Sequence, residues 1–250
     1  MKAPFRKRLR NKERLLGTLV TLPVPEVVEL AVGAGFDWLF IDMEHGALDV
    51  RSVQQLLQTA SDKIECVIRC PGNEEVWIKK CLDLGAAGVI VPQVKNAAEA
   101  EQAVRLSKYP PVGSRSVGVA RAQGFGLRFQ EYVTTANEDV ALIIQVEHID
   151  AVENIDEITN VSEIDCVFVG PYDLSGSIGK IGEVTSPEVL RAICRIRESC
   201  QQKGLPLGIF AATADGIQSY MREGYSLLTV GIDSTLLGKS YHNLVETLRK

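Results

Sequence analysis

The sequence contains no apolar run that approaches the roughly 18 residues of a transmembrane helix, so no membrane span is predicted. It also lacks an excess of positive charge. Its 32 acidic and 27 basic residues give a net charge of -5, which argues against nucleic acid or an anionic membrane as the main partner. The basic segment from Lys2 to Arg14 has no apolar core of the signal-peptide type, and we interpret it as a solvated lead-in helix. We therefore expect a soluble, cytoplasmic protein.

Several motifs that define cofactor classes are absent as well. The six cysteines include no C-x-x-C pair and no zinc-binding spacing, and most lie in apolar segments, as buried reduced thiols do. There is no Walker loop, and no G-x-G-x-x-G follows the first predicted strand. No lysine lies at the end of a predicted strand, since Lys95 falls in a polar turn and Lys63 precedes its strand. Chemistry that passes through a lysine imine is therefore disfavoured.

What is present is a regular alternation of short β-rich segments with longer amphipathic ones. The strand interiors are nearly continuous apolar runs, which are typical of parallel strands buried on both faces. Eight such units without a composition break predict one (β/α)₈ TIM barrel over residues 1–250, and a doubly wound open sheet is the main alternative. The predicted strands are Leu15–Thr21, Asp37–Asp42, Glu65–Arg69, Gly88–Val91, Val140–Val146, Asp165–Val169, Leu207–Ile209 and Ser226–Val230.

Helix boundary signals support this alternation. Asn96 begins a segment with the spacing of a capping box. Ser186 precedes Pro187, which is a cap followed by proline at the first helical position, and Gly204 marks the end of that helix. A long stretch rich in glycine and arginine, Tyr109–Arg128, separates the fourth and fifth strands. A connection of this length usually has a function or forms part of an interface.

Polar side chains follow five of the predicted strands. The active site of a (β/α)₈ barrel is built where its strands end, so these side chains should converge on one rim. The residues are Asp42, Glu44 and His45 after strand 2, Arg69 at the end of strand 3, Gln145, Glu147 and His148 along strand 5, Gly170, Pro171, Tyr172 and Asp173 after strand 6, and Gly231 and Asp233 after strand 8.

Two carboxylates of this rim, Glu147 and Asp173, come from adjacent strands. Together with waters and substrate oxygens they suit a hard octahedral cation such as Mg²⁺ or Mn²⁺. From position alone, the alternative is a rim of solvated acids that cap helices or pair with arginine.

Arg69 and His45 are the candidate cation and base of the rim. Arg69 closes a strand of buried character, where a guanidinium suits a substrate carboxylate or a developing oxyanion. The alternative role for Arg69 is a structural salt bridge to Asp42 or Glu44. His45 is one of three histidines and lies in a turn after a strand, which suits a general base. The alternative is that His45 caps a helix or is an ordinary surface histidine.

Four segments together resemble one known family. They are AGFDWLFIDMEHGALDV (34–50), PPVGSRSVGVARAQGFG (110–126), IIQVEHIDAVENIDEI (143–158) and VFVGPYDLSGSIG (167–179). These segments are similar to the class II pyruvate aldolases of the HpcH/HpaI family, which include 4-hydroxy-2-oxo-heptanedioate aldolases and 2-dehydro-3-deoxy-sugar-acid aldolases. The resemblance covers nearly the whole chain, in order. The D-x-E-H and Q-x-E…G-P-x-D-L phrases are specific when they occur together.

The resemblance implies a barrel with an extended or swapped C-terminal helix that assembles as a homo-hexamer or another homo-oligomer. It implies a divalent metal, Mg²⁺ or Mn²⁺ with Co²⁺ as a further option, held by Glu147 and Asp173. It also implies catalytic roles for four residues: His45 as base, Arg69 as the cation beside an enolate oxygen, Asp42, and Asp83 as the group that raises the basicity of His45. Pyruvate or another 2-oxo acid would be held by Arg69, Gln145, Gly170, Pro171, Tyr172 and Asp173.

Asp83 fits this scheme poorly. It ends the helix before strand 4, nominally at the opposite face of the barrel, and would have to act through a neighbouring subunit or an unusual bend. Two departures from the family pattern concern the aldehyde. Tyr172 stands where the family commonly has a small residue, and SRSVG (114–118) stands where sugar-acid members commonly read G-x-R-G-V-G. Both positions could lie near the acceptor pocket, so the aldehyde stays open.

The function implied is that of a carbon–carbon lyase. It would join an aldehyde to pyruvate, as the enolate formed on the metal, or cleave the resulting 4-hydroxy-2-oxo acid. A first alternative is decarboxylation of oxaloacetate, or another condensing or lyase reaction of a 2-oxo acid, on the same site. An alternative of a different class is a 2-oxo acid binder without catalytic activity.

Overall fold

Residues 3–249 are described by a computed structural model. Their eight strands are all parallel and form a closed barrel in chain order, in which β1 pairs with both β2 and β8. This closure confirms the predicted (β/α)₈ barrel and excludes the open sheet. The strands are β1 (Leu15–Val20), β2 (Trp38–Asp42), β3 (Glu65–Arg69), β4 (Gly88–Val91), β5 (Ala141–Val146), β6 (Cys166–Val169), β7 (Leu207–Ala211) and β8 (Leu227–Ile232).

Helices occupy the connections between successive strands and both ends of the described chain. They are α1 (Phe5–Arg10), α2 (Pro25–Ala34), α3 (Val50–Ala60), α4 (Glu75–Asp83), α5 (Ala97–Ser107), α6 (Phe129–Asp139), α7 (Ile149–Glu153), α8 (Ile155–Ile158), α9 (Pro171–Ser177), α10 (Pro187–Lys203), α11 (Ala214–Arg222) and α12 (Asp233–Leu248). Between residues 3 and 249, no helix combines the length and apolar character that a membrane crossing requires.

The helix boundaries follow the predicted signals, with one exception. The Asn96 side chain accepts a hydrogen bond from the backbone N–H of Glu99 at 3.0 Å and so caps α5. Gly204 ends α10 in the left-handed region with φ 68°, where glycine is favoured. Pro187 is the first residue of α10, but the Ser186 hydroxyl makes no capping bond. Proline, rather than a side-chain cap, therefore defines the start of α10.

Aromatic rings fill the interior of the barrel. Trp38 lies 6.0 Å from Phe5 and 5.9 Å from Phe40 between ring centroids, and Phe40 meets Phe168 edge-on at 5.5 Å. At Gly17 of β1, a Cβ atom would lie 2.5 Å from Trp38 Nε1, so only glycine leaves room for the indole. The interior is thus a solid core, and space for a ligand remains only at its ends.

The N-terminal helix α1 is not the solvated lead-in that its charge suggested. Phe5 and Leu9 are buried, and Arg6 is 1% exposed. The Nε of Arg6 donates to both carboxylate oxygens of Asp165, at 2.8 and 2.9 Å, and the Nε of Arg10 donates to the same carboxylate at 2.5 Å. Because the buried Asp165 compensates these guanidinium groups, α1 can pack beneath the barrel despite its charge.

The C-terminal helix α12 contacts β1 and β8, and none of its residues is buried. Along one side it carries an apolar stripe, which we define as Leu237, Tyr241, Leu244 and Leu248. These residues recur at helical spacing, and each is at least 45% exposed. A C-terminal helix is therefore present, and its own chain leaves the apolar stripe largely exposed.

Candidate active site

A cavity of about 390 Å³ opens at the carboxyl ends of the strands. Because the strands of a parallel barrel all end on one rim, side chains that are distant in sequence meet there. The cavity brings together Asp42, His45, Arg69, Gln145, Gly170, Pro171, Tyr172 and Asp173. Glu147 lines an adjoining cavity of about 530 Å³, which shares Tyr172 and Asp173 with the first. We call the first of these the reactive cavity.

Arg69, the last residue of β3, is held by Asp42, the last residue of β2. Its Nε donates to Asp42 Oδ1 at 2.9 Å and its Nη2 donates to Asp42 Oδ2 at 2.7 Å, which makes a two-point contact. The β2–β3 register places these two residues directly opposite each other. The guanidinium carbon also lies 5.2 Å from the centroid of the Phe40 ring. Arg69 is therefore a fixed cation in the cavity wall.

The segment after β2 folds around the same carboxylate. Asp42 Oδ1 accepts hydrogen bonds from the backbone N–H groups of Glu44, at 3.0 Å, and His45, at 3.3 Å. This turn leaves the His45 side chain at the mouth of the cavity, where 65% of it is exposed. At Gly46, a Cβ atom would collide with the Asp42 carbonyl oxygen, so the turn requires glycine. One carboxylate thus positions both the candidate cation and the candidate base.

Glu44 is a site residue to which the sequence analysis assigned no catalytic or binding role. Its Oε2 lies 3.2 Å from Arg69 Nη1 and 3.8 Å from His45 Nε2. Burial raises the pKa of Glu44, and the positive charge of Arg69 opposes this rise. The available signal was the D-x-E-H phrase itself, because a turn that presents Asp42 and His45 must carry Glu44 between them.

Glu147, the residue after β5, is only 2% exposed. Its Oε1 accepts a hydrogen bond from the Gln93 backbone N–H at 2.9 Å, and its Oε2 accepts one from the side-chain amide of Gln145. Burial raises the pKa of Glu147 to about 7, and the nearby charge of Asp173 adds to the rise. Gly170 makes room for this carboxylate, because a Cβ atom there would lie 2.8 Å from Glu147 Oε2.

Among residues 3–249, no group of three or more His, Cys, Asp and Glu side chains is arranged as a metal site. Glu147 and Asp173 nevertheless line one cavity, and Gln145 Oε1 nearby is buried without a hydrogen-bond partner. Oxygen donors alone, two of them anionic, suit Mg²⁺ or Mn²⁺. A cation there would also offset the burial and repulsion that raise the pKa of Glu147. The residues present therefore fit a hard divalent cation that takes its other ligands from water or substrate.

Asp83, at the end of α4, lines neither of these two cavities. Arg115 Nη2 donates to Asp83 Oδ1 at 2.8 Å, and the Arg115 guanidinium lies over the rings of Tyr109 and Tyr132 at 4.5 and 5.7 Å. Within its own chain, Asp83 therefore anchors the long connection between α5 and α6. Apolar side chains of this connection are exposed, namely Val112, Val117, Val119, Phe125 and Leu127. An exposed apolar surface of this kind is expected where a loop contacts another molecule.

One wall of the reactive cavity was not predicted from the sequence. It contains Phe210, whose ring centroid lies 6.1 Å from that of Tyr172. The predicted seventh strand ended at Ile209, whereas β7 continues to Ala211, so the alternation of side chains along the strand places Phe210 on the inner side. Hydroxyl groups of Thr21, Ser234 and Thr235 line the same cavity.

Comparison with known proteins gives a consistent result over the whole barrel. The sequence profile of the HpcH/HpaI aldolase/citrate lyase family matches residues 17–240. A hydroxypyruvate/pyruvate aldolase of Pseudomonas aeruginosa is 38% identical, over 96% of this chain and 90% of its own. A 4-hydroxy-2-oxo-heptane-1,7-dioate aldolase of Escherichia coli is 37% identical, over 96% of this chain and 92% of its own.

A solved structure shows the same likeness in three dimensions. The HpcH/HpaI aldolase/citrate lyase family protein of Burkholderia cenocepacia J2315 superposes with a TM-score of 0.93 at 35% identity, over 98% of each chain. The likeness thus extends through the elements that carry Asp42, Arg69, Glu147 and Asp173, and the resemblance seen in the sequence is confirmed.

Proposed function

This chain is a member of the HpcH/HpaI aldolase/citrate lyase family and a pyruvate-type aldolase, and we propose that it cleaves a 4-hydroxy-2-oxo acid to pyruvate and an aldehyde with a divalent metal ion. The observation that carries the proposal is the Arg69–Asp42 pair beside His45, in a cavity that also contains Asp173 and adjoins Glu147. A fixed cation, an accessible imidazole and an acidic pair are the groups that cleavage next to a 2-oxo acid requires.

The 2-oxo acid half of the substrate would be bound by Arg69, by the Gln145 amide and by the start of α9. In α9, the backbone N–H groups of Tyr172 and Asp173 belong to the first turn, which has no partners for them within the helix. These donors, and the exposed positions of Tyr172 and Asp173, suit a small carboxylate. Pyruvate, or another 2-oxo acid of similar size, is the expected ligand.

Glu147 and Asp173 would hold the metal, which we expect to be Mg²⁺ or Mn²⁺, with Co²⁺ as a further option. When bound, the metal supplies a Lewis acid that polarises the keto group of the substrate. Gly170 leaves the space that the Glu147 carboxylate occupies in this site.

Arg69 would face the negative charge that develops on the 2-oxo oxygen as the C3–C4 bond breaks. Fixed donors at such positions typically lower a barrier by about 3 kcal/mol. Because Asp42 already holds the guanidinium at two points, little reorganisation is needed when this charge appears.

His45 would take the proton of the C4 hydroxyl while that oxygen becomes the carbonyl oxygen of the aldehyde. The electron pair of the C3–C4 bond passes to the 2-oxo acid half, and return of a proton to C3 gives pyruvate, so no further reactant is consumed. General-base assistance of this kind contributes about 10²–10⁴-fold. Asp83 could assist His45 only from a neighbouring copy, because in its own chain it binds Arg115.

A homo-oligomer, with a hexamer as the expected form, is the proposed assembly. The apolar stripe of α12 is exposed, and its first residue, Leu237, lines a groove of about 320 Å³ between α12 and α2, to which α2 contributes Val27, Leu30 and Ala31. An exchange of the outer part of α12 between two copies would cover both surfaces, since that part of each helix would lie in the groove of the other chain. Burial of contiguous apolar surface favours such an association. The expected compartment is the cytoplasm, where the six free cysteines would stay reduced.

The central test is the exchange of the C3 protons of pyruvate with deuterated water, followed by NMR. Exchange should require added Mg²⁺ or Mn²⁺ and should fall by about 10²-fold or more in Arg69→Ala and Glu147→Ala, while the rate of cleavage of a 4-hydroxy-2-oxo acid should fall by about the same factor in His45→Ala. Thermal unfolding of each variant controls for loss of the fold. Full activity in EDTA, after metal removal has been verified, would refute the metal-dependent mechanism.

Two further measurements separate the alternatives. Incubation with oxaloacetate alone, with pyruvate as the measured product, distinguishes decarboxylation from aldol cleavage. A 2-oxo acid binder without activity would be stabilised against heat by pyruvate and metal, and yet would show no exchange at C3.

A further inference from the structure

A second cavity, of about 360 Å³, adjoins the reactive cavity, and we call it the outer lobe. The two cavities share a common wall that consists of Tyr172, Phe210, Ile232 and Thr235. Because Tyr172 directly precedes Asp173 in the chain, this wall begins beside the candidate metal ligands. A molecule larger than pyruvate, with its reacting carbon in the reactive cavity, therefore has the outer lobe within reach.

The wall and the outer lobe are mainly apolar. The rings of Tyr172 and Phe210 lie 6.1 Å apart at an interplanar angle of 55°. Beyond them, the lobe is lined by Ala212, Gly231, Leu236 and Lys239. Within the described part of the chain, no acidic side chain lines the lobe. The lobe can thus surround a hydrocarbon or an aromatic ring, but it has few partners for hydroxyl groups.

We propose that the outer lobe receives the substituent of the acceptor aldehyde and that this substituent is apolar or aromatic rather than a hydroxylated chain. The inference rests on the proposed function, because it names the substrate class of the same site. It follows from the cost of transfer from water. A hydroxyl group placed against the partly buried Phe210 and Ile232 loses contacts with water without gaining an equivalent hydrogen bond.

The expected size of the preference is moderate. Apolar pockets discriminate by roughly 10- to 200-fold for one methylene, and they reject a hydroxylated analogue by about 10²-fold. The hydroxyl groups of Tyr172 and Thr235 and the water-exposed Lys239 offer limited compensation at the lobe. We therefore expect the enzyme to favour an apolar aldehyde over a hydroxylated one of similar size by about 10-fold or more.

The experiment compares kcat/KM for the condensation of pyruvate with butanal and with glyceraldehyde, using the full chain loaded with Mg²⁺. The wild-type chain should favour butanal, and Phe210→Ser, which places a hydroxyl group in the common wall, should reduce that preference by about 10-fold. Leu190→Ala is the matched control, because Leu190 is an exposed apolar residue of α10 that lines neither cavity, and it should keep the wild-type preference. If Phe210→Ser does not fold, Ile232→Thr replaces it with the same expectation, because it also places a hydroxyl group in the common wall.

Three results would overturn the inference: a wild-type preference for glyceraldehyde, a preference for butanal that survives in the variant of the common wall, or a stronger preference for a carboxylated aldehyde that disappears in Lys239→Met. The last result would identify the outer lobe as an anion site. Absence of C3 proton exchange in the wild-type chain would instead refute the proposed function, so the two failures are distinguishable.

Discussion

Arg69 and Asp42 form a two-point ion pair between the ends of adjacent strands, with N···O distances of 2.9 and 2.7 Å. Both residues are at least 93% buried, and Glu44 approaches the remaining terminal nitrogen of Arg69 at 3.2 Å. Such a pair contributes little net stability, because burial of its charges costs about as much as their attraction returns. What the pair contributes is orientation, because it holds the guanidinium of Arg69 in the wall of the reactive cavity.

Arg69→Lys tests whether this orientation of the positive charge matters, because lysine keeps the charge but cannot make the two-point contact. We expect the rate of C3 proton exchange to fall by about 10²–10³-fold. The matched control is Arg191→Lys, since Arg191 lies on the surface with 70% of its side chain exposed, and this change should affect neither rate nor stability. A wild-type rate in Arg69→Lys would show that charge alone is sufficient.

Gly170→Ala should impair the site without a change in any of its polar groups. The added Cβ would lie 2.8 Å from Glu147 Oε2 and 2.9 Å from Glu147 Cβ, so the carboxylate must move. We expect weaker Mn²⁺ binding, measured by calorimetry, and at least a tenfold loss of activity, as found for small displacements of catalytic groups. Gly33→Ala in α2 is the control, because its Cβ would meet nothing within 4 Å and the residue lines neither cavity of the site. Equal effects at both glycines would contradict the explanation.

Glu147 should make the stability of the metal-free protein depend on pH. Its pKa is raised from 4.5 to about 7 by burial, so the folded chain keeps a proton that the unfolded chain releases. The free energy of unfolding should therefore contain a contribution that is complete below about pH 4.5 and is lost as the pH rises to about 7, worth roughly 3 kcal/mol at most. Urea unfolding in EDTA at several pH values should show a steeper decline in the wild-type chain than in Glu147→Gln. Identical pH dependence in the two proteins would contradict the assignment.

The apolar stripe of α12 should control assembly. Leu244→Glu places a charge in the stripe and should lower the mass measured by light scattering, because the charge would have to be buried against another copy. His242→Glu introduces the same residue about 200° away around the helix and should leave the mass unchanged. If both variants keep the wild-type mass, or if the wild-type chain is monomeric, the exchange of α12 is refuted.

Asp83 offers a test of catalysis across subunits. If Asp83 serves the His45 of a neighbouring copy, Asp83→Asn and His45→Ala should each be inactive, while a refolded equal mixture should regain up to about a quarter of the wild-type rate. The regained rate would come from sites that combine an intact His45 with an intact Asp83. Wild-type activity of Asp83→Asn alone, or no recovery in a mixture of two inactive variants, would leave Asp83 with its observed role as the partner of Arg115.

Much of the barrel could be predicted from the sequence because its signals are local. Runs of buried residues and their boundaries depend on near neighbours, and β3 and β4 have the predicted bounds, Glu65–Arg69 and Gly88–Val91. Once the strands were assigned, barrel topology required His45, Arg69, Gln145 and Asp173 to share one rim. The resemblance of the four motif segments then indicated the family.

The partners of individual side chains could not be predicted in this way. They depend on the strand register, on the closure of the barrel and on the space that remains between packed side chains. Position left open whether Arg69 would bind Asp42 or Glu44, and the structure shows that it contacts both. Phe210 could be identified as a cavity residue only after β7 proved longer than predicted, which placed its ring beside Tyr172.

The sequence by itself determined the alternation of strands and helices, the positions of the strand ends and the kinds of residue found there, since each of these depends on short stretches of chain. Only the tertiary structure decided that Asp42 would hold Arg69 at two points, that Asp83 would bind Arg115, 32 residues away, and that α12 would leave its apolar stripe uncovered. Those outcomes depend on how the eight strands close into a barrel and on which surfaces stay exposed after the barrel has closed.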